Sequence, residues 1–236
     1  MTDTRIESLL DKGIELDLSG SHREALSIFE SAIALDHTCA RAWFHKAVCL
    51  GYLGRHEESV RCFDLAIRSD PGNADYQNNK AAALRKLGRN EDAIATFRKA
   101  IELDPRNDGA WYNLAHLLGT LRRDQEALPC WEKATELDPD DFNGWNYRGM
   151  VLYRLGSIQE ACESFRTAVT KMPLMQKAWV NIGQCNLILS MGASGKVREH
   201  LLREAESALT HARELDPTDE IARMALIRVR SLSSRT

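Results

Sequence analysis

The sequence predicts an all-α chain, a solenoid of about six helix-turn-helix units closed by one C-terminal helix. Three regularities predict it: a proline ruler, small and bulky residues at helical spacing, and glycines midway between the prolines. Pro71, Pro105, Pro139 and Pro173 follow one another at intervals of 34 residues. Asp70, Asp104 and Asp138 precede three of them, Met172 precedes the fourth, and a further Asp-Pro pair stands at Asp216-Pro217, 44 residues after Pro173. The longer interval marks an insertion of ten residues. A chain that repeats itself at this period stacks similar units along a line, because one unit cannot bury its own apolar stripe.

Within each period the spacing resolves two helices. Trp43, Trp111, Trp145 and Trp179 open the first helix of successive units, with Gln77 in the corresponding place of the unit between the first two. Four residues on come Ala47, Ala81, Ala115, Gly149 and Gly183. The second helix carries Ala25 and Phe29, Ser59 and Phe63, Ala93 and Phe97, Ala127 and Trp131, Ala161 and Phe165, and Ala205 and Leu209, each pair four apart. Three residues further stand Ala32, Ala66, Ala100, Ala134, Ala168 and Ala212. Spacings of three and four share a helix face. Small residues there let two backbones approach, while the aromatic fills the neighbouring hollow.

The punctuation agrees. Gly20, Gly54, Gly88 and Gly156 fall where the first helix must end in a left-handed residue, and the prolines close the second helix. Thr4 followed by Glu7 has the pattern of a capping box and predicts the start of the first helix.

The run Trp111, Leu114, Ala115, Leu118, Ala127, Trp131, Ala134, Pro139 resembles the tetratricopeptide repeat, and it agrees in phase over five full periods. The resemblance implies a right-handed superhelix with units at about 6–39, 40–73, 74–107, 108–141, 142–175 and 176–219, forming a single domain over 1–236. A capping helix is expected at about 220–232, containing Ile221, Met224, Leu226, Ile227 and Val229. Two departures stand out. Pro129, about one turn into a second helix, predicts a kink or a late helix start. The ten extra residues near 190–200 predict a longer loop or an extended helix in the sixth unit.

Composition bounds the function. The chain has 236 residues, 44% hydrophobic and 28% charged, with a formal net charge of −3, as suits a water-soluble helical protein. No run of 18 apolar residues is present, and the polar start MTDTRIESLLDKG lacks the plan of a secretory signal, so a cytoplasmic location is expected. Cys39, Cys49, Cys62, Cys130, Cys162 and Cys185 show no Cys-x-x-Cys spacing and read as reduced core thiols. His45 and Cys49, four apart, are too few for a metal site, so neither metal nor cofactor is expected.

No enzyme motif survives inspection. Gly192-Ala193-Ser194-Gly195-Lys196 lacks the leading glycine and the following hydroxyl of a phosphate loop, and no strand precedes it. Carboxylate pairs such as Glu57-Glu58 and Asp140-Asp141 fall at helix starts, where negative charge complements the helix dipole. Lys and Arg number 31 against 34 Asp and Glu, and the C-terminal arginines are interspersed with acids, which argues against nucleic acid.

What remains is a binding surface. The resemblance implies a concave groove built from the first helices, at residues one, two and five after the opening Trp and two before it. The candidate peptide-binding residues are Phe44, Asn79, Tyr112, Asn113, Asn146, Tyr147, Lys177 and Asn181. Asn79, Asn113 and Asn181 occupy equivalent places, and an amide both donates to and accepts from an extended peptide backbone. Asn and Tyr at these places also belong to the family pattern, and that reading stands beside the first. The carboxylate clamp of co-chaperones does not fit: its Lys and Asn places hold Leu10 and Ile14, Phe44 and Val48, Asn78 and Ala82, or Tyr112 and His116. The expectation is a protein-interaction scaffold with a peptide partner. The alternative is self-association through Ile221, Met224 and Ile227 of the last helix.

Overall fold

The computed structural model describes residues 2–234 and, among them, thirteen α-helices and no strand. In chain order these are α1 Thr2–Leu18, α2 His22–Leu35, α3 Ala40–Tyr52, α4 His56–Ser69, α5 Ala74–Lys86, α6 Asn90–Leu103 and α7 Asp108–Thr120. They continue as α8 Asp124–Leu137, α9 Phe142–Leu155, α10 Ile158–Lys171, α11 Gln176–Met191, α12 Gly195–Leu215 and α13 Glu220–Ser233. Consecutive helices form antiparallel pairs, and α13 follows the sixth pair as an extra helix. The contacts divide into two compact units, one ending at Leu117 and the other beginning at Leu118.

The turn inside each of the first five pairs is set by one left-handed residue. Gly20, Gly54, Gly88 and Gly156 have φ between 73° and 86°. The residue after each donates its N–H to the carbonyl five positions back, on Leu16, Leu50, Leu84 and Leu152, at 2.9 to 3.0 Å. This closure satisfies carbonyls that the helix end would leave bare. The fourth pair makes the same turn without glycine: Arg122 takes φ 61°, and Arg123 N–H donates to Leu118 O at 2.9 Å.

The turn between pairs explains the Asp-Pro signature. The N–H of Asp36, Asp70, Asp104, Asp138 and Asp216 caps its helix by donating to Ala32, Ala66, Ala100, Ala134 and Ala212. The side chains of Asp36, Asp104, Asp138 and Asp216 then accept from the N–H two residues on. At Asp36 the hydrogen bond from the Thr38 hydroxyl, with this one from the Thr38 N–H, holds the carboxyl below its ordinary range. The opening tryptophans complete the turn. Trp43, Trp111, Trp145 and Trp179 donate their indole N–H to the carbonyls of His37, Pro105, Pro139 and Pro173, at 2.8 to 3.0 Å. A tryptophan six residues past the proline is thus a staple as well as an apolar body.

The cores follow from the small-and-bulky pattern. In the first unit Phe29 and Phe97 are fully buried; in the second, Trp131, Phe165 and Leu209 are. Glycine is needed where these side chains meet the first helix: a Cβ on Gly149 would lie 2.7 Å from Phe165, and one on Gly183 2.4 Å from Leu209. Ion pairs repeat with the same period. Lys46 pairs with Glu30, Lys80 with Asp64 and Arg148 with Glu132, each joining a first helix to the second helix of the preceding pair.

Three local expectations are modified. Helix α1 already starts at Thr2, so Thr4 lies inside the helix and caps nothing, because a capping residue must stand outside the first turn. Helix α8 runs unbroken through Pro129, so there is no late start. Proline there forfeits one backbone donor, a loss that the other hydrogen bonds of the helix tolerate. The ten-residue insertion is absorbed as helix: α11 has 16 residues and α12 has 21, joined by 192–194.

Candidate functional site

The first helices adjoin one another within each unit. In the first unit Arg41 of α3 bonds Glu7 of α1 at 2.8 Å, and Asn107, just before α7, bonds Asp75 of α5 at 2.9 Å. Asn113 Nδ2 donates to Asn78 Oδ1 at 3.1 Å, so α5 and α7 are linked by an amide pair. One predicted groove residue, Asn113, is therefore oriented by a neighbour's amide. Asn79 lies beside this pair on α5 and donates to the Asp75 carbonyl one turn back, at 2.8 Å. It also lines a cleft of about 420 Å³ with Val48, Tyr52, Phe63, Ala82 and Lys86.

Phe44 is placed differently. Its ring lies 4.9 Å from that of Tyr76, stacked, and 5.8 Å from Phe63, so it packs α3 against α4 and α5. Tyr112 stacks with His116 at 6.3 Å. The His116 Nδ1 lies 3.2 Å from Arg85 Nη1, and burial together with that guanidinium holds the imidazole below its ordinary pKa. A neutral ring accepting from Arg85 follows.

In the second unit Tyr147 stacks on Trp131 at 5.4 Å, which gives it a packing role like that of Phe44. Asn146 Nδ2 points to Met150 Sδ at 3.9 Å, and its buried Oδ1 has no partner among the described residues. Lys177 is exposed and Asn181 half-buried. Among the described residues no hydrogen bond joins Asn146, Lys177 and Asn181 to one another. The amide pairing found in the first unit is not repeated there.

The sequence reading missed the larger cleft. Helices α9, α11 and α13 enclose about 850 Å³ lined by Tyr153, Gln184, Ile188, Met191, Met224 and Arg228, among others. The signal was present. Arg223 stands 44 residues after Trp179, one period plus the insertion, so α13 occupies the place of a first helix in a seventh unit. By the rule stated above, Ile221, Met224, Ala225 and Arg228 are its groove positions. The insertion contributes too, since it extends α11 to Met191 and so lengthens one wall.

The buried thiols add no second centre. Cys49 Sγ donates to Asp17 at 3.2 Å, and burial pushes its pKa up. The contact between the Cys162 and Cys185 thiols, with nearby Arg166, draws Cys162 down, while the same contact and burial drive Cys185 up. Both lie sealed in the core, where a thiolate meets no substrate. Among the described residues no three His, Cys, Asp or Glu side chains come together as a metal site, and no helix is long and apolar enough to cross a membrane.

Comparison with known proteins places this architecture. Tetratricopeptide repeat models match residues 40–73, 62–95, 109–141 and 130–163, and a TPR repeat model matches 81–121. Together they span 40–163, more than half of the chain, which belongs to the tetratricopeptide repeat family. Among solved structures it resembles Pseudomonas aeruginosa PilF, with 16% identity, a TM-score of 0.76, and coverage of 98% of this chain and 99% of that one. It resembles YrrB, a TPR protein described as having an unusual peptide-binding site, with 22% identity, a TM-score of 0.71, and coverage of 84% and 96%. It also resembles MamA of Desulfovibrio magneticus RS-1, with 20% identity, a TM-score of 0.64, and coverage of 77% and 97%. At these identities the likeness is one of fold. No curated protein matches in sequence. Proteins of the family mediate protein–protein interactions.

Proposed function

We propose that the protein is a non-catalytic scaffold that holds a peptide segment of a partner on the face lined by its first helices. One observation carries the reading: in each unit, taken separately, a cleft opens on first-helix residues, Val48, Asn79 and Ala82 in one and Gln184, Met224 and Arg228 in the other. Apolar walls with a few polar groups are what a peptide site requires. The Asn78–Asn113 pair supports it further. One bond is spent between the two amides, leaving Asn78 Nδ2 to donate and Asn113 Oδ1 to accept along an extended backbone. None of the six cysteines is in a disulfide, which suits a reducing compartment, and we place the protein in the cytoplasm.

A displayed library of random peptides, panned on the full chain, tests this. Selected peptides should bind the protein in calorimetry, and the double substitution Tyr112→Ala with Asn113→Ala should weaken those that use the first unit by about tenfold or more. The helical circular-dichroism signal should stay unchanged. Equal affinity in the double variant removes the amide-lined face from the site.

A further inference from the structure

We propose that the cleft between the end of α11 and α13 is a docking site for an amphipathic helix bearing an acidic side chain, contributed by a partner protein. The proposal rests on the scaffold reading above and names the class of segment that one end of the scaffold takes.

Its first support is a vacancy in the repeat. In α3, α5, α9 and α11 the residue four places after the opening position is small and buried: Ala47, Ala81, Gly149 and Gly183. There the first helix meets its own second helix, as the approach of Phe165 to Gly149 and of Leu209 to Gly183 shows. In α13 the corresponding residue is Ile227, and it is 53% exposed. The helix has the phase of a first helix, and among the described residues no second helix covers it. Only Ala222, Leu226 and Val229 are buried; Ile221 and Met224 stand 61% and 58% exposed beside Ile227. A helix is what every other unit places against this face, and an amphipathic helix in an apolar groove uses the same ridges and grooves.

The side chains select the occupant. Isoleucine, where the other units have alanine or glycine, projects outward, so the incoming helix must offer a small residue opposite Ile227. Met191 and Met224 on the two walls are unbranched and adapt to an apolar face they did not evolve to fit uniquely. Charge decides the rest. Glu220 at the rim is held by Arg223 through two bonds, at 2.6 and 2.9 Å, and Arg230 is held by Glu206 at 2.8 Å. Arg228 lines the cleft with no acidic partner among the described residues. A groove whose one uncompensated charge is a guanidinium favours a carboxylate on its ligand.

The test uses the full chain and three labelled synthetic peptides of 18 residues. One is an amphipathic helix with leucines at i, i+3, i+4 and i+7, an alanine between them and flanking glutamates. The second replaces the glutamates with lysines. The third carries two prolines in the apolar stretch. The acidic helix should bind about tenfold or more tightly than the basic one, and the proline peptide should not compete. Ile227→Asp should abolish binding. Arg228→Glu, at an exposed position that leaves the fold intact, should reverse the preference so that the basic helix binds better. Equal binding of the acidic and basic helices, binding of the proline peptide, or no binding of the acidic helix overturns the proposal. So does a dimer in sedimentation that Ile227→Asp dissociates, since it assigns the face to a second copy. Failure here with intact peptide capture at Asn113 leaves the scaffold reading standing; loss of both does not.

Discussion

Arg122 is the residue at which the repeat and its chemistry disagree. Four of the first five pairs end their first helix with glycine at positive φ, and the fourth uses arginine at φ 61°. The left-handed region costs an L-residue with a side chain about 1 kcal/mol, a cost glycine does not carry. Arg122→Gly should therefore raise the stability of the protein by roughly 0.5–1 kcal/mol, and Gly88→Ala should lower it by a similar amount, both read from urea unfolding. An unchanged midpoint for both would mean that the turn is not limited by this dihedral. At this scale the sequence was largely legible. The glycines announced their turns and the aspartates their caps, because each residue type has one physical reason to recur there. The roles of Phe44 and Tyr147 were not legible. The pattern places both among groove residues, yet only the neighbouring rings, Tyr76 and Trp131, show that they are occupied with packing.

At the scale of elements, the helices α8 and α9 are tied by the pair Arg154–Asp124, two bonds of 2.5 and 2.8 Å between half-buried side chains. The Arg154 guanidinium holds the Asp124 carboxyl below its ordinary 3.8, with burial opposing. A carboxylate whose pKa is lowered by folding stabilises the fold at pH above its unfolded value and loses that contribution as pH falls through the folded one. Asp124→Asn should thus cost about 1–2 kcal/mol at neutral pH. The gap between wild type and variant in thermal unfolding should close as pH is taken below 3.8. A gap that persists at low pH would assign the loss to packing instead. The element boundaries were legible where proline and glycine mark them. They were not where helix could simply continue, as through Pro129 and across the insertion into α11 and α12, because propensity is local and neighbouring helices decide. The phase of α13 was readable by counting 44 residues from Trp179 to Arg223. Read as a cap, the helix conceals the vacancy that only exposure of Ile227 reveals.

At the scale of the whole molecule, the period names the family, and proteins of that family mediate protein–protein interactions. On the scaffold reading proposed above, the choice of segment rests on a handful of side chains whose meaning depends on their neighbours, such as Asn113 beside Asn78 or Arg228 without an acid. The account stands or falls on whether ligand binding happens on the first-helix face. The most direct measurement is a two-dimensional amide NMR titration of the isotopically labelled full chain with a peptide selected by panning. The account predicts shifts that gather on first-helix positions, Asn79, Tyr112 and Asn113 or Gln184, Met224 and Arg228, with the second-helix residues Ser27, Glu91 and Thr167 unmoved. Shifts that gather on the second helices while the first-helix signals stay in place would contradict it.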